Sequence, residues 1–229
     1  MIHVLVDIDE TMLSVPEGIN AKTSSVMFKK VFSLNAHEEM IDNVGKTEMG
    51  IITEILEKLH SPVTEIPEEA YGMWAQAMSE EFKNRPVRVL PGIVEFLTAL
   101  SKNPNVKLGL LTGNSPERAE AKLKSGNLDG FFIDSNTSQL NGVFGNMASK
   151  RDQLFDIIRQ QATSEDKFVI VDDSIIGSKI AQTHNIPIIM VATGRATVEQ
   201  LTSFTPYVFV DFGDNRWQEA VLLVESIAN

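Results

Sequence analysis

Four acidic side chains stand where apolar runs end. "VDIDET" closes the run Ile2 to Val6 with Asp7 and Asp9, and "KFVIVDD" closes another with Asp172 and Asp173. A single Asp after a strand commonly does no more than make a turn. Two acidic pairs at equivalent strand ends demand more. In an open parallel sheet ligands bind beyond the carboxyl ends of the strands, and four carboxylates gathered there repel one another unless a cation lies among them. The chain has no cysteine, and its four histidines, His3, His37, His60 and His184, show no metal-ligand spacing. The donors are therefore oxygens, a set that suits magnesium bridging carboxylates to a phosphate. Asp7, Asp9, Asp172 and Asp173 are the expected metal-site residues.

A phosphate seat is expected at "LLTGNS". Thr112 offers a hydroxyl, and Gly113 and Asn114 offer backbone N–H groups just before a helix, where donors lack partners. Ser115 followed by Pro116 also reads as an ordinary helix start. A cation is needed opposite the phosphoryl charge. Lys150 and Arg151, ahead of the helical "RDQLFDIIRQQ", could each reach the strand ends or be a solvated surface charge, and Arg151 is the preferred of the two.

These side chains need a frame. Ile2 to Val6 reads as a buried strand, and similar runs recur at "KLGLLT", "KFVIVDD", "IPIIMVAT" and "YVFVDF". Helical patterns lie between them, over Pro116 to Lys124, Arg151 to Gln161, Gly177 to Thr183 and Val198 to Phe204. Such alternation predicts an α/β fold with a parallel sheet covered on both faces. Residues 16–87 break the rhythm with three helical stretches, "SSVMFKKVF", "MGIITEILEKL" and "EEAYGMWAQAMSEEF". They predict a helical domain inserted after the first strand, its aromatics Phe28, Phe32, Tyr71 and Trp74 mostly core. Two tethers, near Leu13 to Glu17 and Asn84 to Leu90, join it to a core of residues 1–15 and 88–229, as a hinged cover would be joined. "PGIVEFLTAL" then restarts the core with a helix.

Composition narrows the partners. The 229 residues carry a net charge of −11, which disfavours a nucleic-acid backbone as partner but leaves room for a small anion held by local cations. No apolar run approaches the roughly 20 residues of a membrane span, and "MIHVLV" lacks the pattern of a signal peptide. Absence of cysteine favours a reducing cytoplasm. The oligomeric state is left open.

Together these motifs resemble those of a haloacid dehalogenase superfamily hydrolase, of the group similar to phosphoglycolate phosphatases with a helical cap. Asp7, Asp9 and Thr11 match Asp-x-Asp-x-Thr, Thr112 matches the strand-ending Thr or Ser, and Asp172-Asp173 looks like the paired-acid form of the fourth motif. "NVGKTEMGI", "VLPGIVEFL", "NGVFGN" and "VATGRATVEQL" extend the likeness over nearly the whole chain. Two features depart from it: "SKRDQL" stands in place of the usual Lys-Pro third motif, and Gly177 stands where the Gly-Asp form has its second acid. The resemblance implies a Rossmann-like core and magnesium-dependent hydrolysis of a small phosphorylated metabolite. Asp7 would be the nucleophile, forming an aspartyl-phosphate, and Asp9 the acid and base. Magnesium would be held by Asp7, Asp173 and the Asp9 carbonyl, and phosphoryl oxygens by Thr112, Gly113, Asn114 and Arg151. A phosphosugar mutase shares this chemistry and is the alternative enzyme; a non-catalytic binding or regulatory protein is the other alternative, against which Asp7 and Asp9 are intact. Substrate choice is expected in the insertion, where Gly18, Lys46, Thr47 and Glu48 would face the leaving group, although Thr47 also reads as a helix cap.

Overall fold

The apolar run at the N-terminus becomes β1 (Ile2–Val6) in a computed structural model that describes residues 1–228. After it come β2 (Leu13–Ser14), α1 (Ile19–Val31), α2 (Glu48–Lys58), α3 (Glu69–Phe82) and β3 (Arg88–Val89). The chain continues through α4 (Ile93–Ser101), β4 (Val106–Leu111), α5 (Pro116–Ser125), β5 (Gly142–Val143), α6 (Arg151–Gln161) and β6 (Lys167–Asp172). It ends with α7 (Ile175–His184), β7 (Ile188–Val191), α8 (Val198–Thr202), β8 (Val208–Phe209) and α9 (Arg216–Ala228).

Six strands form one sheet in the order β5-β4-β1-β6-β7-β8, every pair parallel. Successive side chains of a strand point to opposite faces, and β1 uses both. Ile2, Val4 and Val6 join Phe96 and Leu97 of α4 and Val224 of α9 in one core. Leu5 joins Leu154 and Phe155 of α6 and Ile180 of α7 in the other. This is a parallel Rossmann-like sheet with a helical cap inserted. Among the described residues no helix is long and apolar enough to cross a membrane.

The cap has its own core, in which Met27 and Phe28 of α1, Ile52 and Ile55 of α2, and Tyr71 and Trp74 of α3 are buried. Trp74 is fully buried, and its indole N–H keeps a partner by donating to Thr23 Oγ1 at 3.2 Å, as a buried Trp requires. The two tethers are not independent strings. β2 and β3 pair antiparallel, Leu13 with Val89 and Ser14 with Arg88, so the chain enters and leaves the cap through one short ribbon.

The cap also touches the core at the start of α2. A helix leaves its first N–H groups without intrahelical partners, and here the core supplies two of them: Glu48 N donates to Gly113 O at 2.8 Å and Met49 N to Gly145 O at 2.9 Å. Gly50 N donates to Thr47 Oγ1 at 3.1 Å. Separating cap from core would return the first two groups to water.

Candidate active site

β1 lies between β4 and β6, with Val6 paired to Leu110 on one side and Val171 on the other. One residue beyond Val6 stands Asp7, whose N–H donates to Val171 O at 3.0 Å; one residue beyond Val171 stands Asp172. Central adjacent strands therefore bring Asp7 beside the Asp172-Asp173 pair. Asp7, Asp172 and Asp173 are all buried and each offers a carboxylate oxygen within 4.8 Å of the others.

Arg151, at the start of α6, enters this cluster. Its Nη2 is 2.8 Å from Asp7 Oδ1 and 2.9 Å from Asp172 Oδ2, and it also donates to Leu111 O at 3.3 Å. Burial would lower the guanidinium's affinity for its proton, but Asp7 and Asp172 outweigh burial and raise it. Lys150, the residue before, stands at the N-cap position of α6 with no side-chain bond to it, is exposed and does not line the cavity described below. A helix start exposes one of two consecutive side chains and buries the other, and here the buried one is Arg151.

Asp172 is further held by Ser174, whose N–H and hydroxyl both donate to Oδ1, at 2.8 and 2.7 Å. Its carboxylate also explains Gly177: a Cβ there would lie 2.2 Å from Asp172 Cγ, so the acid at 172 fills the space a side chain at 177 would need. Asp173 accepts from Thr11 Oγ1 at 3.1 Å. Burial raises the carboxyls of Asp7 and Asp173; Asp172 adds to both, and Arg151 opposes without cancelling it. With all three ionised, these buried carboxylates facing one guanidinium carry an excess of two negative charges, and the donors are all oxygen. The cluster fits a divalent cation.

Asp9 is not in that cluster. Its carboxylate accepts from Lys122 Nζ at 2.7 Å on both oxygens and from Asn114 Nδ2 at 2.7 Å on Oδ2. Partial withdrawal from water pushes Asp9 up, but Lys122 and Asn114 together outweigh it and hold the carboxyl below the usual range. Glu10 adopts φ 55°, and its side chain accepts from Ser14 Oγ at 2.8 Å.

The "LLTGNS" loop runs alongside. Thr112 is fully buried and its hydroxyl accepts from Asn114 N at 3.2 Å and Asn114 Nδ2 at 2.8 Å. Ser115 caps α5 by accepting from Arg118 N at 3.3 Å, with Pro116 at the first position. The ordinary helix start and the polar loop are one structure.

A cavity of about 630 Å³ opens between core and cap. Asp7, Asp9, Asp173, Asn114, Gly113 and Arg151 line its core side, and Lys46, Glu48 and Glu38 are among those lining its cap side. Of the cap residues expected to face a leaving group, two do not line it. Gly18 is exposed at the N-cap of α1, and Thr47 is fully buried with its hydroxyl capping α2, because an orphan helix N–H is its nearest donor. Lys46 lines the cavity and pairs with Glu54.

Two cations on α5 were not singled out in the sequence. Lys122 is 1% exposed, and besides Asp9 it donates to Asn114 Oδ1 at 2.6 Å. Arg118, one turn earlier, is also buried. It stands 2.9 Å from Glu48 Oε1 and 3.9 Å from the Trp74 ring centroid, both cap residues. The signal that could have found them is their phase: Arg118 and Lys122 are neighbours, in helical spacing, of the buried Ala119 and Leu123.

The sequence profile of the haloacid dehalogenase-like hydrolase family matches residues 4–191. No curated protein matches the chain. Similar solved structures include a hydrolase from Pseudomonas syringae (18% identity, 99% of each chain, TM-score 0.63). CbbY from Rhodobacter sphaeroides in complex with phosphate is similar at 15% identity over 93% of this chain and 95% of that one, TM-score 0.65. A "predicted phosphatase" from Clostridium acetobutylicum is similar at 19% identity over 96% and 98%, TM-score 0.60. At such identities these likenesses show the fold alone.

Proposed function

Because the chain belongs to the haloacid dehalogenase-like hydrolases, we propose that it hydrolyses a small phosphomonoester in a magnesium-dependent reaction through an aspartyl-phosphate on Asp7. The observation that carries this reading is the buried trio Asp7, Asp172 and Asp173, paired with Arg151, with Asp7 and Asp173 lining a cavity of small-molecule size.

Asp7 attacks phosphorus and takes the phosphoryl group, so that one displacement becomes two. Arg151 orients the Asp7 carboxylate and neutralises part of the cluster charge, a role its contacts favour over direct contact with the phosphoryl oxygens. Asp9, two residues along and held ionised in the free site, takes the proton that the phosphomonoester monoanion brings, passes it to the leaving oxygen and then takes a proton from the attacking water. The Thr112 hydroxyl and the Gly113 N–H stabilise the phosphoryl oxygens, with the Asn114 N–H bracing Thr112. Asp7 and Asp173, with the Asp9 carbonyl, would hold magnesium, which offsets the remaining negative charge and lets an anionic substrate approach an anionic nucleophile. Lys46 and Glu48 act on the leaving group from the cap. The lack of cysteine accords with work in a reducing cytoplasm.

The test is phosphoenzyme formation. With magnesium and a small phosphomonoester, the wild type should carry acid-stable, base-labile phosphate on Asp7, detected by mass spectrometry. Asp7→Asn should keep its circular dichroism and lose both the adduct and turnover. Turnover near the wild-type rate in a folded Asp7→Asn protein would overturn the reading.

A further inference from the structure

Lys122 supplies no group to the substrate in the mechanism above, yet it is buried where a lysine is costly. An ammonium leaves water only when paired and hydrogen-bonded, and Lys124, two residues on along the same helix, is exposed and pairs with Glu120. Lys122 instead spends its donors inward, on both oxygens of Asp9 and on Asn114 Oδ1. Asn114 is fixed in turn, since its Nδ2 donates to Asp9 Oδ2 and to Thr112 Oγ1. The ring closes on Asp9, whose side chain keeps 39% exposure toward the cleft. A carboxylate that open has room to turn to another rotamer unless something holds it. The Lys122 stem, rooted in a core helix and 1% exposed, cannot follow such a turn without leaving its own site.

We propose that Lys122 is the positioning residue for Asp9, fixing through its bonds to both carboxylate oxygens and to Asn114 the direction in which Asp9 meets the leaving group. This rests on the assignment of Asp9 as acid and base. Arg118, one turn before on α5, grips Glu48 and Trp74 of the cap, so the same helix face holds the acid and seats the cover above it.

The test separates leaving-group departure from everything else. p-Nitrophenolate departs without needing a proton, whereas phenolate and p-methoxyphenolate depend increasingly on an acid, and kcat/KM reports the first transfer. For Lys122→Met, kcat/KM should fall less than about threefold on p-nitrophenyl phosphate and about thirtyfold on phenyl phosphate, part of the roughly hundredfold or more that a positioned acid contributes. p-Nitrophenolate should also appear as a burst equal to the enzyme concentration, because Asp9 serves the water step as well. Lys122→Met/Asp9→Asn removes both charges and leaves neither buried alone, so it keeps the comparison available if the single variant fails to fold. Its kcat/KM should lie within about twofold of Asp9→Asn alone, as for two groups acting through one.

A uniform loss across the aryl series, or a double variant much slower than Asp9→Asn, would reduce Lys122 to a packing role and overturn the inference. If Asp9→Asn steepens the dependence on leaving group and folded Lys122→Met does not, only the inference about Lys122 fails. If Asp9→Asn itself keeps the wild-type dependence, it is the assignment of Asp9 that fails.

Discussion

Asp172 and Asp173 are adjacent in sequence and unequal in the site. Asp172 is engaged by Arg151 and twice by Ser174, while the bond from Thr11 to Asp173 comes from a neutral hydroxyl. The carboxylate with the least cationic company is the one that gains most from a bound ion. In the proposed reading, magnesium at a concentration of 100 times its Kd should stabilise the wild type by about 2.7 kcal/mol, read as an upward shift of Tm. Asp173→Asn should lose most of that shift, and Asp172→Asn should keep more of it while disturbing Arg151. Equal shifts in both variants would move the metal away from Asp173. The acidic pairs were legible because a strand end fixes where its next residue goes. Lys122 and Arg118 were not, because a charged residue in "ERAEAKLKSG" reads as solvated until the helix is seen to press them against Asp9 and Glu48.

At the scale of elements, strands of four residues or more announced themselves by composition, as did the two-residue β8 within "YVFVDF", but the other strands of two did not. β2, β3 and β5 each have two residues, too few for any period to show, and they exist because a partner lies alongside. α7 begins at Ile175 rather than Gly177 because Ser174 caps it by accepting from Gly177 N at 3.0 Å. α9, outside the expected elements, covers one face of the sheet with Ala220 and Val224. The element whose chemistry matters most is α5, through Arg118. Burial raises Glu38 and Glu48 despite Arg118, so removing Arg118 leaves two buried acids without their main cation. Breaking a buried pair from one side costs about 3–5 kcal/mol. Arg118→Met should therefore lower the stability of the cap by about 3 kcal/mol in urea, followed by the fluorescence of Trp74 with Trp217, which lies outside the cap on α9, replaced by Phe. A loss below about 1 kcal/mol would mean that the acids take up protons and the pair is not what holds α5 to the cap.

For the whole molecule, the decisive contact is the seat of the cap on the core, which no pattern in the sequence displays because it joins backbone to backbone. Glu48 N and Met49 N donate to core carbonyls, and the approach is close enough that a Cβ at Gly113 would lie 2.3 Å from Lys46 O. Gly50 offers a cleaner test. It sits inside α2, where Ala is favoured over Gly by about 1 kcal/mol, yet an added Cβ would lie 2.5 Å from Ser149 O of the core. Helix stability and cap seating thus pull in opposite directions at one atom. Gly50→Ala should leave α2 at least as stable while preventing it from settling on the Gly113 and Gly145 carbonyls. Hydrogen exchange at the Glu48 and Met49 amides should speed up. Hydrolysis of small alkyl phosphomonoesters, which depends on a closed and water-poor cleft, should fall about tenfold in kcat/KM. p-Nitrophenyl phosphate needs less from the cap and should lose less. Unchanged amide protection with unchanged kcat/KM would show that the core loop at Ser149 yields to a methyl group, and that seating at this point does not govern turnover.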